Sequence, residues 1–175
     1  MKRPPMFALR SLPRALMMFV VALALLGGLG SGLARLGFQM DALSQSWILV
    51  HGPLMIGGFM GTLICLERAV ALASRYRWSM VVPVINAIGA AALLIADDVV
   101  VAKILLTGGS LGLVVLFGLM LKLHPSRDMR IMAAGALCWL VGNLLWLGGQ
   151  PVYQVVHLWT AFLILTIIGE RLELS

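Results

Sequence analysis

Apolar residues in this chain come in long runs, broken by short polar stretches rich in Arg, Lys, Asp, Gly and Pro. A helix needs roughly 20 apolar residues to cross a hydrocarbon core ~30 Å thick. Runs of that length predict six spans, at about 15–36, 47–72, 79–96, 99–121, 129–147 and 152–172. Strand-type alternation is absent from them, and backbone groups in lipid must be paired within the segment, so each run reads as an α-helix. The linkers are short, which makes neighbouring helices antiparallel. The expectation is an all-α integral membrane protein, a single bundle of six transmembrane helices filling residues 1–175.

Charge gives the bundle a direction. Lys2, Arg3, Arg10, Arg14, Arg68, Arg75, Arg77, Lys122, Arg127, Arg130 and Arg171 fall on one side. Arg35 and Lys103 are what remain of the 13 Lys and Arg for the other. By the positive-inside rule the basic side is cytoplasmic, so both termini are expected inside and the Asp97–Asp98 turn outside. A bacterial-type inner membrane is the expected location. Basic residues ahead of the first run resemble the start of a signal peptide, but the run is longer than a usual signal core, so it is read as a retained helix.

Composition agrees, at 61% hydrophobic and 11% charged, against about a quarter charged in soluble domains. The net charge of +6 follows from the cytoplasmic bias and does not call for nucleic acid. Cys65 and Cys138 fall inside apolar runs and read as small hydrophobes. Glycines such as Gly27, Gly28, Gly57, Gly58 and Gly61 suit close helix packing, and Asn86 and Asn143 suit hydrogen bonds between helices.

The candidate chemistry lies in two histidines. His51 and His157 each sit a few residues inside the outer end of a helix that runs inward, so they share a depth. Trp47 precedes His51 by four residues, as Tyr153 precedes His157, one helical turn above on the same face. Glu67-Arg68 and Glu170-Arg171 close the same two helices, a weak internal repeat of spans one–two in spans five–six. Ionisable groups inside spans are functional candidates by default.

Two imidazoles at one depth on facing helices are what a haem iron takes as axial ligands. The expectation is a b-type haem near the outer leaflet, ligated by His51 and His157, since no Cys-x-x-Cys-His occurs for covalent attachment. Gly58 and Ala161 would give the porphyrin flat helix faces. Arg35 and Lys103 are the outer cations available to its propionates, with Trp47, Tyr153 and Gln154 as hydrogen-bonding partners. Met55, one turn after His51, makes copper the alternative metal. At the inner edge, cross-paired ion bridges are expected, Glu67 with Arg171 and Glu170 with Arg68. His124, in a basic loop, is given no role.

Val50-His51-Gly52-Pro53-Leu54-Met55-Ile56-Gly57-Gly58-Phe59-Met60-Gly61 resembles the second helix of haem–copper oxidase and nitric oxide reductase catalytic subunits. It also resembles the NnrS family of haem- and copper-containing membrane proteins. The likeness covers spans two and six. It implies low-spin haem b on the outer side with His51 and His157 as ligands. The oxidase subunits have twelve spans and further histidines for a second metal centre. This chain lacks both, so no oxygen- or nitric-oxide-reducing centre carries over.

The functional expectation is electron transfer or binding of haem and diatomic gases rather than stand-alone catalysis. The lipid bilayer is the first partner; a redox partner or quinone, a homodimer and a larger membrane complex are the others considered. Two alternatives stand beside it. One is a small transporter or channel whose histidines bind an ion or proton and whose glutamates relay protons; its signature would be helices broken at midplane, for which Pro53, Pro83 and the glycines within the spans offer support. The other is a cofactor-free accessory subunit.

Overall fold

The structure is a computed structural model that describes residues 6–38, 49–95 and 99–174. Trp47, Asp97, Asp98, Lys2 and Arg3 lie outside the described residues. The described chain is all-helical, and six of its helices are long and apolar enough to cross a membrane. They are α1 (Met6–Arg35), α2 (His51–Leu72), α3 (Val81–Ile95, entered through a 3₁₀ turn at Arg77–Met80), α4 (Val100–Leu123), α5 (Arg127–Leu147) and α6 (Val152–Glu173).

Local signals account for the boundaries. Gly37 and Gly149 have φ of 91° and 96° after α1 and α5, a region that side chains with a Cβ avoid. Pro151 stands just before α6, where a missing N–H costs nothing. The Ser126 hydroxyl accepts a hydrogen bond from the Met129 N–H at 3.3 Å and caps α5. The expected spans agree with the apolar stretches of these helices to within a few residues; α1 itself begins nine residues ahead of the expected first span.

α2 is the most buried helix, packed against α1, α3, α4 and α6. Water-driven burial does not hold helices together in lipid; close contact and hydrogen bonds do. Glycines supply the closeness. The buried stripe Met17, Val21, Ala24, Gly27, Gly28 and Ser31 of α1 turns toward α2 and α3. A Cβ on Gly58 would lie 3.1 Å from Ala24 Cβ and 3.3 Å from Ala90 Cβ. The α5–α6 seam repeats the device with Gly135 against Phe162 and Gly142 against Trp159.

One part of α2 departs from the regular helix that its apolar run predicts. Leu54–Gly61 winds as a π-helix, a form usually confined to single turns and frequent at functional sites. Gly57 within it offers its carbonyl to Asn86 Nδ2 of α3, which also donates to Thr62 Oγ1, both at 2.8 Å. Asn143 Nδ2 of α5 likewise donates to the Leu106 carbonyl of α4 at 3.2 Å. Both asparagines therefore tie helices together as expected.

Candidate functional site

Starts of α2, α4 and α6 and the end of α1 form one end of the bundle, which carries both histidines. His51 opens α2 and is half-buried. Its Nδ1 lies 2.7 Å from the Gly28 carbonyl of α1, a contact that requires Nδ1 to carry the proton. That tautomer leaves the Nε2 lone pair as the free basic site, as a backbone-oriented metal-ligating histidine does. Glycine is needed on the α1 side. A Cβ on Gly32 would stand 3.0 Å from the ring Cε1, and one on Gly28 would overlap the Met55 thioether. His51 and Met55 thus lie side by side over the same stretch of α1.

His157 sits elsewhere. α6 buries Val155, Trp159, Phe162, Thr166 and Gly169, and its opposite face carries His157 with Tyr153, Val156 and Thr160, all exposed. α2 and α6 do meet at this end, through Gly52, whose added Cβ would be 3.3 Å from Val152 and 3.8 Å from Trp159. The two imidazoles do not meet there. His51 turns to α1 while His157 turns away from the bundle. A helix advances about 100° per residue, so Gly52 faces α6 because its neighbour His51 does not.

The other expected site residues fall in separate places. Gly58 is buried between Ala24 and Ala90, so no flat open face is left above it. Ala161 is half-buried and Arg35 exposed at the end of α1. Tyr153 is 74% exposed, its hydroxyl 3.5 Å from Gln154 Nε2. Lys103 Nζ lies 5.1 Å from the Trp146 ring centre, a cation–π contact that engages it within the bundle.

At the opposite end, Arg68 is buried and gathers three carboxylates. Its Nη2 is 3.3 Å from Glu67 Oε1 and 3.2 Å from Glu170 Oε1, and its Nη1 is 3.6 Å from Glu173 Oε2. The expected Glu170–Arg68 bridge is there. Glu67 joins Arg68 rather than Arg171, which is exposed. Each carboxylate is more than a third exposed, so its share of the pairing is screened by water. Arg68 also lies over the Phe117 ring, 5.8 Å from its centre.

Aromatics between α5 and α6 are what sequence reasoning missed. Trp139 stacks on Phe162 with centres 4.8 Å apart, and Trp146 meets Trp159 edge-on at 5.5 Å. The Nε1–H groups of Trp139 and Trp159 are buried without an acceptor among the described residues. The seven-residue spacing of Trp139 and Trp146, matched by Gly135 and Gly142, was the available signal. Among the described residues, no group of three or more His, Cys, Asp or Glu side chains is placed to hold a metal ion.

Residues 14–175 match the model of a domain of unknown function, DUF8744, and the chain belongs to that family. No curated protein and no solved structure matches it.

Proposed function

We propose that this DUF8744 protein is a multi-span inner-membrane protein, both termini cytoplasmic, that binds haem b near its periplasmic side through His51. The observation that carries this reading is the His51 hydrogen bond to Gly28. It fixes the tautomer, orients the ring against two glycines and presents Nε2 as a ligand. The positive-inside bias supports the orientation.

The fit to the group is partial. His51 would supply one imidazole nitrogen to the group. His157, on the exposed face of α6, does not complete a pair with it inside one chain, and Gly52, Val152 and Trp159 fill the space between the two helices. The reading therefore favours haem with one ligand from this bundle. A haem held by one residue of this chain would supply diatomic-gas binding rather than simple electron transfer. The chain's own part is to hold the imidazole proton at Nδ1, set the ring plane and keep the neighbourhood apolar. His51 beside Met55 keeps copper as the alternative metal.

A second reading rests on the π-helical segment of α2 and its bond to Asn86. Irregular backbone in the most buried helix is a feature of transporters, and an ion or proton path along α2 would use it.

The test is the optical spectrum of the detergent-purified protein, expressed with ample haem, oxidised and reduced, beside His51→Ala and His157→Ala. Loss of the haem bands in His51→Ala alone, with carbon monoxide binding to the reduced wild type, supports the single-ligand reading. Loss in both variants, with no carbon monoxide binding, returns the reading to a bis-histidine cytochrome. A colourless wild type overturns haem binding, and metal analysis followed by transport assays then decides between copper and transport.

A further inference from the structure

The arginine end of the bundle holds a cavity that the histidine site does not use. It has a volume of about 360 Å³ and lies where α2 and α4 end and α5 begins. Met120, Leu123 and Met129 form apolar walls, while Ser74, Arg75 and His124 stand among its lining. Apolar wall and polar rim thus meet at the level where the spans give way to basic loops.

Arg75 is the informative residue. It is exposed, and its guanidinium lies 5.9 Å from the centre of the Tyr76 ring. Among the described residues no carboxylate pairs with it, whereas Arg68, about two helical turns earlier in the chain, has three. An arginine at a membrane edge with no acidic partner is a donor fork suited to phosphate. His124 and Ser74 add hydrogen-bonding groups on the same cavity. The thioether and leucine walls suit acyl and glycerol carbons. Basic pockets between helices on the cytoplasmic side are where anionic headgroups are recognised.

We infer that this cavity binds the headgroup of an acidic phospholipid, with Arg75 and His124 on the phosphate and Met120, Leu123 and Met129 against the first acyl carbons. The occupant is a lipid of the cytoplasmic leaflet, bound at a defined position rather than drawn loosely by net charge. The inference uses the inside orientation of the basic end and is independent of haem binding at His51.

The experiment is lipid retention. Protein is reconstituted in phosphatidylcholine nanodiscs containing a minor fraction of phosphatidylglycerol, extracted in mild detergent, washed, and weighed intact with its bound lipid. The wild type is expected to keep one phosphatidylglycerol per chain. Arg75→Gln/His124→Gln is expected to lose retention by roughly five- to tenfold, about 1–1.4 kcal/mol, chiefly from loss of the Arg75 charge. Lys122→Gln/Arg130→Gln removes two exposed cations from the same face without touching the cavity, and is expected to retain the lipid. Should the double variant lose its helix content, His124→Gln alone, in an exposed turn, carries the comparison, and unchanged retention there overturns the inference. Equal retention of phosphatidylcholine by the wild type, or equal loss in the surface control, overturns it too. Displacement of the lipid by soluble glycerol phosphate at comparable concentration would reassign the cavity to a soluble phosphate ester.

Discussion

Gly142→Ala adds one methyl group at a tight point of the α5–α6 seam. Its Cβ would sit 2.7 Å from Trp159 Cδ1, 2.8 Å from Nε1 and 3.3 Å from Leu158 Cβ. Contacts under 3 Å require something to move. Trp159 is 1% exposed and is held edge-on by Trp146, so the indole cannot swing clear without opening that pair. Overpacking of this kind costs about 1–3 kcal/mol, and a rigid, enclosed ring puts it near the upper limit. Alanine returns up to about 1 kcal/mol of helix propensity over glycine, so the net loss is about 2 kcal/mol. Gly118→Ala on α4 is the matched control, because a Cβ there meets nothing within 4 Å. It keeps the propensity gain alone. Reversible unfolding in mixed micelles at increasing dodecyl sulfate fraction, followed by tryptophan fluorescence, should separate the two variants by about 3 kcal/mol on the same magnitudes. If Gly142→Ala matches or exceeds the wild type, the seam is looser than its distances imply and the reasoning fails.

Gly32→Ala should disturb the His51 ring, whose Cε1 and Nδ1 would lie 3.0 and 3.2 Å from the new methyl. Haem affinity by absorbance titration is expected to fall by roughly 10–100-fold, the usual effect of losing a ligand's orienting bond; an unchanged affinity would separate His51 from the metal. Asn86→Leu removes two bonds between α3 and α2, at about 0.6 kcal/mol each in a membrane. Hydrogen exchange should speed up in Leu54–Gly61, and unaltered protection there counts against Asn86 as its support. Arg68→Met leaves Glu67, Glu170 and Glu173 together without a cation. Its destabilisation should shrink in ~1 M salt, where the screening length is about 3 Å; a salt-independent loss would mean that packing on Phe117, rather than charge, is what Arg68 provides.

Span positions were legible because the length and continuity of an apolar run follow directly from bilayer thickness. That both histidines fall at the same end of the bundle was legible for a related reason, since rise along a helix is fixed. Direction around the helix axis was not. In a span where nearly every residue is apolar, hydrophobic periodicity scarcely marks an inner face. Tyr153, His157 and Thr160 share one side of Val152–Glu173, and in lipid a polar side reads as inward-facing, whereas the structure leaves it exposed. Glu170–Arg68 could be anticipated from the paired glutamate–arginine ends, but Glu173 adds a third carboxylate because one further helical turn brings it back over Arg68. Winding of Leu54–Gly61 was hidden as well, because i→i+4 and i→i+5 hydrogen bonds make no different demand on an apolar, glycine-rich run.

That winding has a rotational consequence for α2. A π-helical stretch carries more residues per turn than the α-helix on either side, so it sets the phase between the turn that bears His51 and the turn that bears Arg68. Arg68 is clamped to α6 at one end and His51 is gripped by α1 at the other, and eight residues between them absorb the mismatch. Rewinding those residues as ordinary α-helix, with Arg68 fixed, would swivel the His51 turn about the helix axis. The imidazole would leave the Gly28 carbonyl, and a different residue of the outer turn would come to face α6.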